Sequence, residues 1–361
     1  MNMALEKHLI NEINSLVTED IKIMEVCGTH TQKIAQMGLK SVISSKVKLL
    51  SGPGCPVCVT EESYIDRAIT ILNTYDVVIV TFGDLMRVRG RKGCLLDEKA
   101  KGKDVRVICS PMVLIEMADT NRKKKFIFLG VGFETTAPII ALAIKTAAEK
   151  GIKNLYFLTS IKLMPPILHY IFKQSNHEIN GLICPGHVAT VKGSNYFSFI
   201  RTDYRIPAAV CGFEARDILI GIHYLVENIV QNERQAYENL YKRCVRASGN
   251  PIANRFIDEV FQTSNGEWRG IGRVQNSVLT INEKYAAFNA LEVFSIESEL
   301  KKIESKETLL SCGCKDILLG NKAPRECKLF GHLCSPVNPY GPCMVSSEGS
   351  CAIAYRYREG S

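Results

Sequence analysis

Between residues 21 and 220, short apolar runs alternate with longer amphipathic ones, and this alternation restricts the fold more than any other feature of the chain. The apolar, β-branched runs are Ile21–Val26, Val47–Leu50, Val77–Phe82, Val105–Ile108, Phe126–Val131, Leu155–Leu158, Gly181–Ile183 and Ala208–Val210. Helix-period stretches follow, as at Thr136–Lys150 and Ala215–Val230. Strand-length runs bounded by helical periodicity predict βα units and parallel strands, hence an α/β class. The runs are too many for one small sheet. The expectation is two parallel-sheet α/β domains facing a cleft, residues 21–122 and 123–222, with a boundary near Asn121–Lys125. Residues 223–361 are expected to form a mostly helical, cysteine-rich third domain, with an N-terminal helix at 1–20 packing nearby. Within it, helices run from His223 through Tyr285–Leu300, broken by a loop at Trp268-Arg269-Gly270-Ile271-Gly272.

Each unusual polar motif begins where an apolar run stops. Cys27-Gly28-Thr29-His30, the Gly52-to-Cys58 segment, Gly83-Asp84, Gly132-Phe133-Glu134-Thr135-Thr136, Cys184-Pro185-Gly186-His187 and Cys211-Gly212-Phe213-Glu214 all occupy such positions. Open parallel sheets bind ligands beyond the carboxyl ends of their strands, so these motifs are placed to converge on one cleft. Glu134 and Glu214 each open a helix-period stretch, where a carboxylate complements the helix dipole. The Thr-Thr-Ala-Pro run after Glu134 marks that position as a site rather than a cap.

The chain has 361 residues, 46% of them hydrophobic, enough for a large core. Its N-terminus lacks the apolar core of a signal peptide, and its longest apolar runs are far short of a membrane span. A soluble, cytoplasmic protein is expected. The net charge of +8 is mild. Basic residues concentrate at Arg87, Arg89, Arg91, Lys92, Lys99, Lys101, Lys103 and Lys123 to Lys125, without the recognition-helix or aromatic pattern of a nucleic-acid binder. A solvated face explains them, and a partner-docking surface is the alternative.

In a reducing compartment, fourteen cysteines point to metal binding or redox work rather than a disulfide framework. Six lie in the last fifty residues: Cys312, Cys314, Cys327, Cys334, Cys343 and Cys351. One subset has the spacing Cys312-x14-Cys327-x6-Cys334-x16-Cys351, leaving Cys314 and Cys343 as a potential pair. Four thiolates suit a 4Fe-4S cluster or structural zinc, and the absence of short Cys-x2–4-Cys knuckles favours the cluster. The tail is rich in Gly and Pro as well, and it needs such a staple to hold its shape. Cys55-Pro56-Val57-Cys58 has the spacing of a reversible disulfide, with a zinc half-site as the rival. Cys27 and His30 lie three apart at a strand end, a thiolate–imidazole pair able to bind iron, zinc or copper, or else a core cysteine beside a capping turn. His187 follows a Pro-Gly turn. Cys94, Cys109, Cys184 and Cys244 have no partner spacing.

Taken together, Cys27-Gly28-Thr29-His30-Thr31, Gly52-Pro53-Gly54-Cys55-Pro56-Val57-Cys58, Gly132-to-Pro138, Pro185-Gly186-His187-Val188, Trp268-to-Gly272 and the tail ending Cys343-to-Cys351 resemble the hydrogenase maturation factor HypD family. The match runs nearly end to end. The stretch 87–93 is more basic than that family's usual pattern. The resemblance implies two α/β domains and an iron–sulfur domain. It implies a role in building the Fe(CN)2CO unit of nickel–iron hydrogenases, in complex with the small chaperone HypC and with HypE as cyanide donor. The chain would act as a monomer within that hetero-complex, as a scaffold or metallochaperone rather than a turnover enzyme. It places the 4Fe-4S cluster on Cys312, Cys327, Cys334 and Cys351, an electron relay on Cys314/Cys343 and Cys55/Cys58, and iron at Cys27 and His30. Glu134, His187 and Glu214 come from other strand ends that would face the same cleft. A rival reading is an iron–sulfur thiol–disulfide reductase of a protein partner, and a third is a zinc-stapled interaction protein.

Overall fold

The computed structural model describes residues 3–174, 178–296 and 312–357. All the expected strands are present. They are β1 (Ile21–Glu25), β2 (Val47–Ser51), β3 (Val77–Thr81), β4 (Val105–Val107), β5 (Lys125–Gly132), β6 (Leu155–Lys162), β7 (Gly181–Pro185) and β8 (Ala208–Cys211). Three more follow: β9 (Tyr237–Asn239), β10 (Phe261–Trp268) and β11 (Gly272–Ile281). The expectation of a mostly helical stretch from 223 is therefore corrected, and its part at 297–311 lies outside the described residues. The supposed loop at Trp268–Gly272 is the tip of an antiparallel β10–β11 hairpin, with Gly270 at φ +73° making the turn. This hairpin covers the edge of a sheet. Its outer face is polar, so the sequence Phe261–Trp268 lacks the apolar run of a buried strand.

One sheet has the order β2-β1-β7-β8-β9, with every pair parallel. The other has the order β10-β11-β6-β5-β3-β4, parallel from β6 to β4. Strands from both sides of residue 122 enter each sheet, so sheet membership does not follow a boundary there. The chain alternates between the sheets: β1 and β2, then β3 to β6, then β7 to β9, then β10 and β11.

Strand alternation explains the layers. In the first sheet Met24, Leu182, Ala208 and Val210 face a core shared by both sheets, while Ile21, Ile23, Ile183 and Ala209 face an outer core. That outer core is closed by the helices Ala215–Val230 and Met3–Leu16, which pack on each other. In the second sheet Ile79, Ile127, Leu129 and Leu158 face the shared core, and Val78, Phe126, Phe128 and Phe157 face its own outer layer. The cysteine-rich tail also enters the shared core through Ile317, Leu318, Leu329 and Met344. No helix among the described residues is long and apolar enough to cross a membrane.

Candidate functional site

The carboxyl ends of β1, β2, β5 and β7 surround a cleft of about 400 Å³. Cys27, Gly54, Phe133, Thr135, Pro185 and His187 line it, and the tail adds Glu348.

Cys27 is the residue between β1 and the helix Gly28–Gln36, with extended backbone at φ −146°. Two contacts hold it there. Its amide donates to Glu25 Oε2 at 3.1 Å, and the backbone of Gly54 lies so close that a Cβ on Gly54 would collide with the Cys27 amide. Only glycine allows that approach. Burial pushes the Cys27 thiol up to about 12, and the nearby carboxyls of Glu348 and Glu25 act the same way. The amides of Thr29 and His30, at the helix start, act in the opposite direction. Glu25 is itself buried and is raised to about 8 by loss of solvent, against hydrogen bonds from Thr31 and Cys27.

His30 is fully buried and does not line the cleft. Its Nε2 donates to the Gly212 carbonyl at 2.9 Å, which assigns the proton because a carbonyl only accepts. Its Nδ1 is buried without a hydrogen-bond partner. Burial lowers its pKa to about 4, so the ring is neutral. Phe213 stacks on His30 at 4.6 Å and on His187 at 3.8 Å. The ring of Phe213 thus connects a buried histidine to one on the cleft wall.

The two glutamates of the repeated Gly-Phe-Glu have different environments. Glu134 is fully buried behind the cleft wall. Its Oε1 accepts from the Met164 amide at 2.7 Å and the Tyr196 hydroxyl at 2.9 Å, and Oε2 has no partner. Burial raises its pKa. Glu214 is exposed at the start of the helix Ala215–Val230 and does not line the cleft. Gly83-Asp84 also lies off it.

Glu348 is the residue that sequence reasoning missed. Its Oε1 accepts from Thr29 Oγ1 at 2.7 Å, and its backbone covers Gly28 so closely that a Cβ there would lie 2.5 Å from the Glu348 Cβ. The signal available was its place in Ser346-Ser347-Glu348-Gly349, between two cysteines.

The thiol pairs lie next to this cleft. Cys55 and Cys58 stand at disulfide distance, with Cα atoms 5.3 Å apart, Cys55 capping the helical turn Pro56–Val59 and Cys58 lying within it. The turn Pro342–Val345, which carries Cys343, packs on it. Cys343 and Cys314 are buried with sulfurs 3.0 Å apart. Their hydrogen bond pulls the Cys314 thiol down and pushes the Cys343 thiol up.

Cys312, Cys327, Cys334 and Cys351 are within electrostatic reach of one another. Burial raises Cys312 to about 12 and raises Cys351 too, and the neighbouring sulfurs add to both. A Cβ on Gly341 would lie 2.8 Å from Cys312 Sγ, so the chain closes tightly on that sulfur. Among the described residues no three His, Cys, Asp or Glu side chains close around a single metal ion. Four soft sulfur donors gathered in the tail fit a multi-iron sulfide core, in which each thiolate takes its own iron. The basic stretch at 87–93 touches the same tail, since Arg87 donates to the carbonyls of Pro336 at 2.5 Å and Val337 at 3.2 Å.

A model of the HypD family, described as the hydrogenase formation hypA family, matches residues 4–358. The chain is 37% identical to a putative hydrogenase expression/formation protein of Methanocaldococcus jannaschii, over 98% of each chain. It is 36% identical to the hydrogenase maturation factor HypD of Escherichia coli, covering 99% of this chain and 95% of that one. It is 38% identical to HypD of Azotobacter vinelandii, covering 93% and 89%. The matched span includes the cleft, both thiol pairs and the cysteine-rich tail, and the chain belongs to the HypD family of hydrogenase maturation factors.

Proposed function

We propose that this chain is the scaffold on which the Fe(CN)2CO unit is assembled, together with HypC and with cyanide passed from HypE. The carrying observation is the position of Cys27: a single thiol on a cleft wall, with two thiol pairs and a converging set of four more cysteines packed behind it. Iron is cargo in this reading. A soft thiolate suits an iron that carries cyanide and CO. Cys27 is protonated in the free chain, so loading iron releases its proton, and the helix amides of Thr29 and His30 face the resulting charge. Since Nε2 of His30 is committed to Gly212, a second ligand from this residue would use Nδ1. Thr29, Thr135, Thr136, Thr190 and His187 line the space left for diatomic ligands and for a ligand from HypC.

Cys312, Cys327, Cys334 and Cys351 would hold a 4Fe-4S cluster, which supplies single electrons when bound. The chain's own sulfurs pass pairs of electrons. The Cys314/Cys343 dithiol reduces the Cys55–Cys58 disulfide by exchange, moving two electrons and two protons between neighbouring turns. The reduced Cys55/Cys58 pair then stands beside Gly54, against Cys27.

Infrared spectroscopy of the chain purified anaerobically with HypC tests this reading. Cyanide and CO bands are expected from the wild-type complex, absent with Cys27→Ala and weakened less by His30→Ala. A reductase without a scaffold role gives neither band in any complex. Full bands in Cys27→Ala refute the iron site.

A further inference from the structure

The β10–β11 hairpin brings the largely covered guanidinium of Arg269 between the segments that carry the two thiol pairs. Its tip is fastened to the segment that follows Cys58. The Arg269 amide donates to the Val59 carbonyl at 2.9 Å, and Lys162 Nζ ties Glu61 at 2.8 Å to the Glu267 carbonyl at 2.6 Å. The other side of the tip meets the tail, where a Cβ on Gly270 would lie 3.1 Å from the Lys315 Cβ, one residue after Cys314. Arg269 spends Nη2 on Glu62 Oε1 at 3.0 Å and on the Arg89 carbonyl at 3.1 Å. Its Nη1 is buried and has no hydrogen-bond partner. A buried guanidinium donor with no partner is costly unless some state of the protein uses it. Neither iron binding nor the cluster ligands account for it.

We propose that Arg269 is a positioning residue for thiol–disulfide exchange, holding the two thiol pairs in register and offering Nη1 to the sulfur that carries charge as the bond moves. The exchange is balanced within the chain. The sulfur of Cys314 attacks the Cys55–Cys58 bond, one of those two sulfurs leaves with the electron pair and takes a proton, and a mixed disulfide forms. Cys343 then attacks Cys314, releases the second thiol and leaves the Cys314–Cys343 disulfide. During each step a negative charge spreads over three sulfurs in a low-dielectric space, where a fixed cation acts strongly. An arginine supplies both the Nη2 that bonds Glu62 and a spare donor at a fixed angle to it, which lysine does not.

The proposal rests on the relay described above, and one experiment separates the two. The full chain, reconstituted anaerobically with iron and sulfide and carrying Cys343→Ser, is treated with one equivalent of diamide. It is then quenched in acid over time, and its disulfides are mapped by mass spectrometry. Cys343→Ser alone is expected to accumulate the mixed disulfide between Cys314 and the Cys55/Cys58 pair. Adding Arg269→Gln should slow its formation about tenfold or more, the scale seen when a preorganised donor to developing charge is lost. Arg269→Lys should restore part of the rate, and guanidinium ions in solution should partly rescue Arg269→Ala. An unchanged rate in Arg269→Gln overturns the proposal and leaves the relay standing. A slowed rate that neither lysine nor guanidinium improves shows a purely structural role and also overturns it. No mixed disulfide with Arg269 intact removes the relay, and the proposal with it.

Discussion

Glu348 Oε1 accepts a 2.7 Å hydrogen bond from Thr29 Oγ1, joining positions 319 residues apart. Thr29 lies in the helix that starts at Cys27, and Glu348 lies between Cys343 and Cys351. The cysteine-rich tail therefore supplies part of the cleft wall, and its charge bears on the Cys27 thiol. Glu348→Gln keeps an acceptor for Thr29 but deletes the charge. Cys27 should become more acidic, and its alkylation by iodoacetamide at fixed pH should speed up. An unchanged or slower rate contradicts the electrostatic link.

The proposed cluster would tie the tail's folding to metal. Cys327→Ala or Cys334→Ala should abolish iron–sulfur content and loosen residues 312–357, because cluster binding adds directly to folding free energy there. Broad absorption near 400 nm, an expectation of roughly that position for iron–sulfur charge transfer, should disappear. Full cluster occupancy in either variant removes the ligand assignment.

Cys55→Ala should leave the cluster spectrum intact and block maturation, since one thiol cannot form the disulfide that a two-electron relay needs. Hydrogenase activity measured in cells relying on the variant is the readout. Normal activity would sink the relay.

Glu25 controls the pH dependence of stability around the site. Its pKa is about 8 folded against 4.5 ordinarily, because of burial. The folded state therefore holds a proton that the unfolded chain releases above pH 4.5. The stabilisation is full below that pH and is lost as pH rises towards 8, on the order of a few kcal/mol in all. Glu25→Gln should flatten the urea-unfolding profile across this window and raise stability at pH 8. A wild-type chain with no slope between 4.5 and 8 contradicts the burial.

His30 gives an acid limb of the opposite origin. Its folded pKa of about 4 lies below the ordinary 6.5, so the unfolded chain binds a proton that the folded one refuses. Stability is full above pH 6.5 and falls as pH drops towards 4. His30→Gln, which preserves a donor to Gly212, should remove that limb. Its persistence unchanged assigns the limb to another group.

Much of the fold was legible because buried parallel strands are apolar on both faces. Val77–Thr81 and Phe126–Val131 have no other reading. The strand-end motifs were equally readable, since Cys27, the Cys55 turn, Thr135 and His187 are set by where each strand stops. The hairpin at Phe261–Ile281 was not readable, because an edge strand with one solvated face carries a weak signal. Sheet membership was also hidden, since pairing of β1 with β7 depends on contacts some 160 residues apart. Glu214 looked like Glu134 in three-residue context and differs only through burial, which local sequence does not encode. The tail looked like a segment held by metal alone, yet Ile317, Leu318, Leu329 and Met344 anchor it in the common core.

The alternating path of the chain between its two sheets has a consequence for how the molecule is made. On the ribosome, the first sheet cannot be completed until β7, β8 and β9 emerge, so β1 and β2 must wait while β3 to β6 are synthesised. Neither sheet corresponds to a contiguous gene fragment, and a chain truncated after residue 222 leaves both sheets unfinished. The tail emerges after the strands and helices it packs on. The two sheets and the tail are therefore folded as one unit.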